Sequence, residues 1–177
     1  DSTQTAGSLD VSSNKSDESQ TDLEIEVPVV NGSQAEKSPE ECTVEDAESY
    51  ATSYAELAKT AADNAVNAET AEESEKYAEL AKIYADKAEQ YAEQAGTESA
   101  KNAVQEANDA VLVAKVAAAE KMAELYAELA KSAAENAANA DSAEKAEQFL
   151  KEASEAAEKA GEYAELAGTD VAKEAAQ

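Results

Sequence analysis

The sequence predicts an all-α fold, an alanine-rich antiparallel array of helices that follows a disordered, acidic N-terminal tail. Two observations lead to this fold class. After residue 43 the chain consists mainly of alanine, glutamate, lysine and leucine, which are among the residues with the highest helix propensity. The same region also repeats itself at a spacing of 72 residues, and internal repeats of this length are typical of stacked helical units.

The tail, residues 1–43, differs in composition from the rest of the chain. It contains ten acidic residues, two lysines and many serines and threonines, so it has little apolar surface with which to fold alone. We therefore expect it to be disordered. Its one apolar stretch, residues 23–32, alternates in the manner of a strand and ends in Asn31-Gly32. Two interpretations stay open: an extended linker, or a strand that adds to the sheet of a partner.

The repeat is visible without any gap in the alignment. Tyr54–Lys59 recurs unchanged as Tyr126–Lys131, and about half of the positions in residues 44–105 are identical to those 72 residues later. We assign two tandem three-helix units, residues 44–115 and 116–177. The second unit lacks the residues that would complete its third helix, so we expect it to be a truncated copy within a longer array.

Capping residues set the limits of the helices. Thr43 and Thr70 are placed to cap helix N-termini. Gly96 predicts a left-handed C-cap, and Thr97 follows it directly as the next N-cap. In the second unit the corresponding signals are Asp141–Glu144 and Gly168. The predicted helices cover residues 44–67, 70–95, 98–139 and 142–167, with a fifth from residue 170.

Alanines recur at alternating steps of three and four and form a seam on each helix. This spacing predicts helices that pack closely side by side. The third helix has no stop signal before residue 138, so we expect the two units to share it. The seam alanines of the first three helices are Ala51, Ala55, Ala58, Ala62 and Ala65, then Ala78, Ala81, Ala85, Ala88, Ala92 and Ala95, then Ala100, Ala103, Ala107, Ala110, Ala114 and Ala117.

Tyrosines follow a pattern of their own, because each stands just before a seam alanine. One interpretation is that the rings flank the seam and cover it while their hydroxyls stay in water. The other is an aromatic stripe that binds another protein. On the second interpretation the partner-binding residues are Tyr54, Tyr77, Tyr84, Tyr91 and Tyr126.

Composition and charge argue against several classes of function. The net charge is −26, so nucleic acid is a poor partner. The chain contains no histidine and no arginine, so the usual proton shuttles and imidazole metal ligands are missing. The chain shows no nucleophile beside a base, no calcium-loop spacing and no glycine-rich phosphate loop. We expect no enzyme activity, no cofactor and no metal site. No apolar run reaches the length of a membrane helix, so we expect no membrane insertion.

Three residues are candidates for covalent modification. Cys42 is the single cysteine, so it could form a disulfide only between chains. Asn14 and Asn31 each begin an Asn-X-Ser triplet, the acceptor sequence for N-glycosylation in secreted proteins.

Two family resemblances follow from these features. The alanine heptads of residues 44–131, with the run Gln105–Lys115, resemble the alanine-heptad merozoite surface proteins of malaria parasites. That resemblance implies a secreted, peripheral surface protein that self-associates. The gapless tandem repeat is similar to the helical repeat stalks of Gram-positive surface adhesins, which implies a spacer.

These observations together predict a non-enzymatic structural or adhesive protein. We expect it to be secreted or associated with a cell surface, as a spacer or as a self-assembling coat component. The alternative is a protein-binding module that presents the tyrosine-bearing helix face to a partner. A spacer should bind nothing, whereas a binding module should retain a partner through its helical region.

Overall fold

The computed structural model describes residues 24–33 and 35–175 of the chain. Four α-helices account for nearly all of this part, and an extended segment with one short 3-10 helix, Pro39–Glu41, precedes them. The α-helices are α1 (Val44–Asn67), α2 (Ala71–Ala95), α3 (Glu98–Ala138) and α4 (Ala143–Ala175). The fold is a helical bundle, as the composition predicted.

The predicted caps place the ends of the first three helices correctly. The hydroxyls of Thr43, Thr70 and Thr97 each accept a hydrogen bond from the backbone N–H three residues later. Gly96 ends α2 in the left-handed conformation, with φ of +66°. At the start of α4 the hydroxyl of Ser142 accepts from the N–H of Lys145 at 3.3 Å. Local capping chemistry therefore decides where α1, α2 and α3 begin.

The predicted end of α4 is wrong, because this helix continues through Gly168 to Ala175 and no separate helix begins at residue 170. Gly96 turns the chain so that α3 packs on α1, and the Thr97 hydroxyl donates to the Glu48 carboxylate on that helix. The equivalent hydroxyl, on Thr169, donates to the backbone carbonyl of Glu165 inside α4. A glycine within a helix costs only about 1 kcal/mol relative to alanine, so without such tertiary contacts the helix continues.

Helices α1, α2 and the first half of α3 form a three-helix bundle, here called the N-terminal bundle. Every alanine that the sequence places on their seams is buried. Alanine lets helix axes approach to the close end of the usual range of 8–10 Å. The largest fully buried side chains are Tyr50, Tyr54 and Ser74, and the Ser74 hydroxyl donates to the backbone carbonyl of Ala65 at 2.7 Å.

The second half of α3 and α4 form an antiparallel pair, here called the C-terminal hairpin. One row of apolar side chains along this pair is exposed, although the residues 72 positions earlier are buried in the N-terminal bundle. Leu150 is 59% exposed, for example, whereas its counterpart Ala78 is 6% exposed. The exposed row consists of Ala127, Ala134, Leu150, Ala157 and Ala164. In the described part of the chain no third helix covers it.

Residues 24–33 and 35–42 lie along the N-terminal bundle and are here called the N-terminal segment. Val30 and Cys42 are buried, and the chain reverses at Asn31-Gly32, where φ is +54° and +75°. The prediction of a disordered tail is therefore wrong for this segment. The rest of the tail, residues 1–23 and residue 34, lies outside the described residues.

Added salt should raise the melting temperature of the bundle. Most ion pairs of the described residues join largely exposed side chains three or four positions apart, and such pairs contribute only about 0–1 kcal/mol each. Self-repulsion from a net charge of −26 is therefore the larger electrostatic effect, and salt screens it. Thermal melts followed by circular dichroism in increasing sodium chloride test this. A melting temperature that falls steadily would show that ion pairs dominate instead.

Candidate functional site

Four tyrosine rings lie between α1, α2 and the N-terminal segment. Tyr50, Tyr54, Tyr84 and Tyr91 are each at most 2% exposed. The Tyr91 ring stacks on Tyr50 with centroids 4.7 Å apart and on Tyr54 with centroids 5.8 Å apart. These rings provide the large apolar contacts that an alanine seam cannot provide.

Glu36 connects the N-terminal segment to these tyrosines. Its Oε1 atom accepts hydrogen bonds from the hydroxyls of Tyr54, at 2.6 Å, and Tyr91, at 2.8 Å. The Lys87 ammonium donates to both oxygens, at 2.9 and 3.2 Å, and lies 5.1 Å from the centroid of the Tyr54 ring. Tyr54, Lys87 and Tyr91 are here called the N-terminal cluster, and they form a binding site for one carboxylate.

The electrostatics of this site favour an ionised carboxylate and protonated phenols. Burial raises the pKa of the Glu36 carboxyl, but the hydrogen bonds from Tyr54, Lys87 and Tyr91 lower it more, so the net pKa lies below its usual value. Burial, followed by the hydrogen bond to Glu36, raises the pKa of Tyr54 and of Tyr91 well above that of a free phenol. Both hydroxyls therefore remain donors at neutral pH.

Further hydrogen bonds hold the N-terminal segment along its length. The backbone N–H of Glu26 donates to the Tyr84 hydroxyl at 2.8 Å, and the Tyr91 hydroxyl lies 2.6 Å from the Lys37 carbonyl. Asp46, which is 6% exposed, accepts from the side chains of Asn31 and Lys37. Sequence reasoning missed Glu36, Lys87 and Asp46, since nothing in their local pattern separates them from the many charged residues on helix surfaces.

The structure corrects the prediction of an exposed tyrosine stripe. Tyr54, Tyr84 and Tyr91 are buried under the chain's own N-terminal segment, and their hydroxyls bond to it. The expectation that their hydroxyls stay in water is wrong for the same reason. Tyr77 and Tyr126 are half-buried, so of the five predicted residues only these two retain surface for a partner.

Tyr126 belongs to a second arrangement of the same kind, on the C-terminal hairpin. Its ring stacks on Tyr163 with centroids 5.6 Å apart, and the Lys159 nitrogen lies 5.1 Å from its centroid. These residues stand 72 positions after Tyr54, Tyr91 and Lys87. The stacking of the two rings and the distance from the lysine nitrogen to the first ring are nearly the same in both places. Tyr126, Lys159 and Tyr163 are here called the C-terminal cluster. No described carboxylate pairs with Lys159, and no described segment covers the cluster.

A groove of about 390 Å³ leads from this cluster between α3 and α4. Its lining includes Leu129 and Ala133, which correspond to Leu57 and Ala61 in the groove beneath the N-terminal segment. Two positions differ in charge: Glu152 and Glu155 stand where the first unit has Leu80 and Ile83. This groove therefore combines an apolar floor with a cation at one end and two carboxylates beside it.

The three modification candidates have different surroundings. Cys42 is 8% exposed, and burial raises the pKa of its thiol, which lowers its reactivity. A disulfide between chains would require the N-terminal segment to leave the helices. Asn31 is exposed, but its amide donates to Asp46, so glycosylation there would remove this hydrogen bond. Asn14 lies outside the described residues.

Residues 24–33 and 35–175 contain no group of three or more histidine, cysteine or acidic side chains arranged to hold a metal ion. None of the described helices combines the length and the apolar character that crossing a bilayer requires. Comparison with protein families, with curated proteins and with solved structures finds no match for this chain.

Proposed function

We propose that this chain is a non-enzymatic structural or adhesive repeat protein, built of a three-helix unit and a second, truncated unit that share α3, and that it acts at a cell surface or outside the cell. The observation that supports this best is the exposed row of the C-terminal hairpin. The residues 72 positions earlier are buried in the three-helix N-terminal bundle, so we expect the exposed row to pack against a further helix.

The occupant that we propose for this row is the same row of a second copy. Two hairpins packed face to face would form a four-helix bundle, and a two-fold interface of this kind lets one patch complement itself. Ala127, Ala134, Ala157 and Ala164 would allow close approach, while Leu150 would supply the largest apolar contact. Self-association through these residues is the proposed basis of a structural role.

Replacing Leu150 and Ala157 with glutamate (L150E/A157E) should convert a self-associating chain into a monomer. Each change would bury a carboxylate without a partner in the interface, at a cost of several kcal/mol. Sedimentation equilibrium over a range of concentrations measures the effect. Ser154→Glu is the matched control, because this position corresponds to Lys82, which is exposed in the complete bundle. A wild-type chain that is monomeric at every concentration would contradict the proposal, as would a double variant that associates normally.

A second candidate function is a protein-binding module, and a separate observation favours it. The C-terminal cluster repeats the ring stacking and the lysine position of the N-terminal cluster, which binds the side-chain carboxylate of Glu36. No described segment covers the C-terminal cluster. The C-terminal cluster consists of side chains that do not belong to the exposed row. Binding and self-association can therefore be tested independently.

A further inference from the structure

We infer that the C-terminal cluster binds a carboxylate presented by a non-helical segment of another protein. This inference deepens the second candidate function and rests on it, but it does not depend on self-association. The chain itself provides the template, because its N-terminal cluster shows how two tyrosines and one lysine hold Glu36.

In the N-terminal cluster two phenol hydroxyls and one ammonium converge on one carboxylate, with donor distances of 2.6, 2.8 and 2.9 Å. In the C-terminal cluster the rings stack and the ammonium lies over Tyr126 at the same 5.1 Å as in the template. The donors are therefore already placed, and hydrogen bonds to a charged acceptor are the strong ones. A carboxylate is the ligand that fits two phenols and an ammonium.

The path of the N-terminal segment indicates how the backbone of the ligand would run. The N-terminal segment passes the groove floor at residues 24 and 26, reverses at Asn31-Gly32 and then presents residue 36 at the cluster. The second groove has a similar apolar floor, to which Leu129 and Ala133 contribute. A segment of another protein with a similar turn can therefore follow the same path and deliver a glutamate to Lys159.

The chain's own N-terminal segment is a poor occupant of this second groove. That segment would place Glu24 and Glu26 in a groove lined by Glu152 and Glu155, and like charges at close range in an interface disfavour binding. A basic side chain at those ligand positions would be attracted instead. The partner is therefore a non-helical segment that turns back on itself, with a glutamate after the turn and one or two lysines or arginines before it.

Titration of the full chain with a synthetic peptide tests this inference. The peptide reproduces residues 24–41 with Glu24→Lys and Glu26→Lys, and amide chemical shifts of the protein report the site. We expect shifts around Tyr126, Lys159 and Tyr163. The N-terminal cluster should stay unaffected, because its own tethered segment has an effective concentration in the millimolar range. The unmodified 24–41 peptide should bind about tenfold more weakly.

Substitutions at the cluster identify the groups responsible. Lys159→Met, and the double change Tyr126→Phe with Tyr163→Phe, should each weaken binding by about tenfold or more, as should Glu36→Gln within the peptide. Lys131→Met is the matched control, since it removes the same charge from an exposed position of α3 whose counterpart, Lys59, does not line the first groove. It should leave the affinity within about twofold.

Three results would overturn the inference: no binding at millimolar peptide, binding that is insensitive to Lys159→Met, or shifts confined to the N-terminal bundle. Tighter binding of the unmodified peptide would identify a second copy as the occupant and would contradict the proposed partner. Sedimentation of the same Lys159→Met variant separates ligand binding from self-association, because self-association through the exposed row should persist in this variant.

Discussion

Replacing Ala117 with proline should divide the thermal unfolding of this chain into two transitions. Ala117 lies in α3 where the N-terminal bundle meets the C-terminal hairpin, and it is 9% exposed. Proline there removes a backbone hydrogen bond and clashes with the preceding turn, at a cost of about 3 kcal/mol or more. The hairpin, which has few fully buried side chains beyond this point, should then melt at the lower temperature.

Far-UV circular dichroism and amide hydrogen exchange measure this uncoupling. Glu98→Pro is a matched control, because Glu98 is the first residue of α3 and Thr97 before it has an extended backbone, with φ of −87° and ψ of 157°. Proline is tolerated at that position, so the control should melt in one transition. If the Ala117 variant also melts in one transition at the wild-type temperature, α3 does not couple the two parts.

Replacing Glu36 with glutamine should release the N-terminal segment from the helices. The carboxylate of Glu36 accepts from two phenols and one ammonium, and hydrogen bonds to charged groups contribute about 1.5–3 kcal/mol. The side chain is 25% exposed, so we expect a loss of about 2 kcal/mol and a melting temperature lower by ~4–8 °C. Ultraviolet titration gives a second measurement, because released Tyr54 and Tyr91 should ionise near the ordinary phenol pKa of about 10.

Glu40→Gln is the control for this variant, since it removes the same charge from an exposed position of the same segment. It should leave both the melting temperature and the tyrosine titration unchanged. If Glu36→Gln and Glu40→Gln behave alike, the carboxylate does not hold the segment.

The pH dependence of stability should also distinguish these two variants. The folded-state pKa of Glu36 is lowered, so its contribution is present above its ordinary pKa of about 4.3 and is lost as the pH falls through the lower folded value. Between about pH 7 and pH 5, protonation of other carboxylates relieves self-repulsion and should raise the melting temperature. Below about pH 4 the wild type and Glu40→Gln should lose stability more steeply than Glu36→Gln. Equal acid slopes in all three would contradict the assignment.

The sequence alone determined the fold class, the limits of α1, α2 and α3, and the burial of the alanine seams in the N-terminal bundle. These features are local. A threonine caps the residues that follow it, Gly96 adopts a left-handed conformation that other residues avoid, and alanine spacing decides which face of a helix packs. Apart from the 72-residue repeat, each of these features depends only on residues within about two helical turns of one another.

Tertiary structure decided the binding site and the end of α4. Glu36 meets Tyr91 across 55 positions of the chain and Lys87 across 51, and no local pattern marks which of the many carboxylates makes that contact. The same signal, glycine followed by threonine, ends α2 at Gly96 but leaves α4 continuous at Gly168, because packing of the following segment supports the turn only at the first position. A helical protein rich in alanine and glutamate offers many equivalent surfaces, and only long-range packing selects among them.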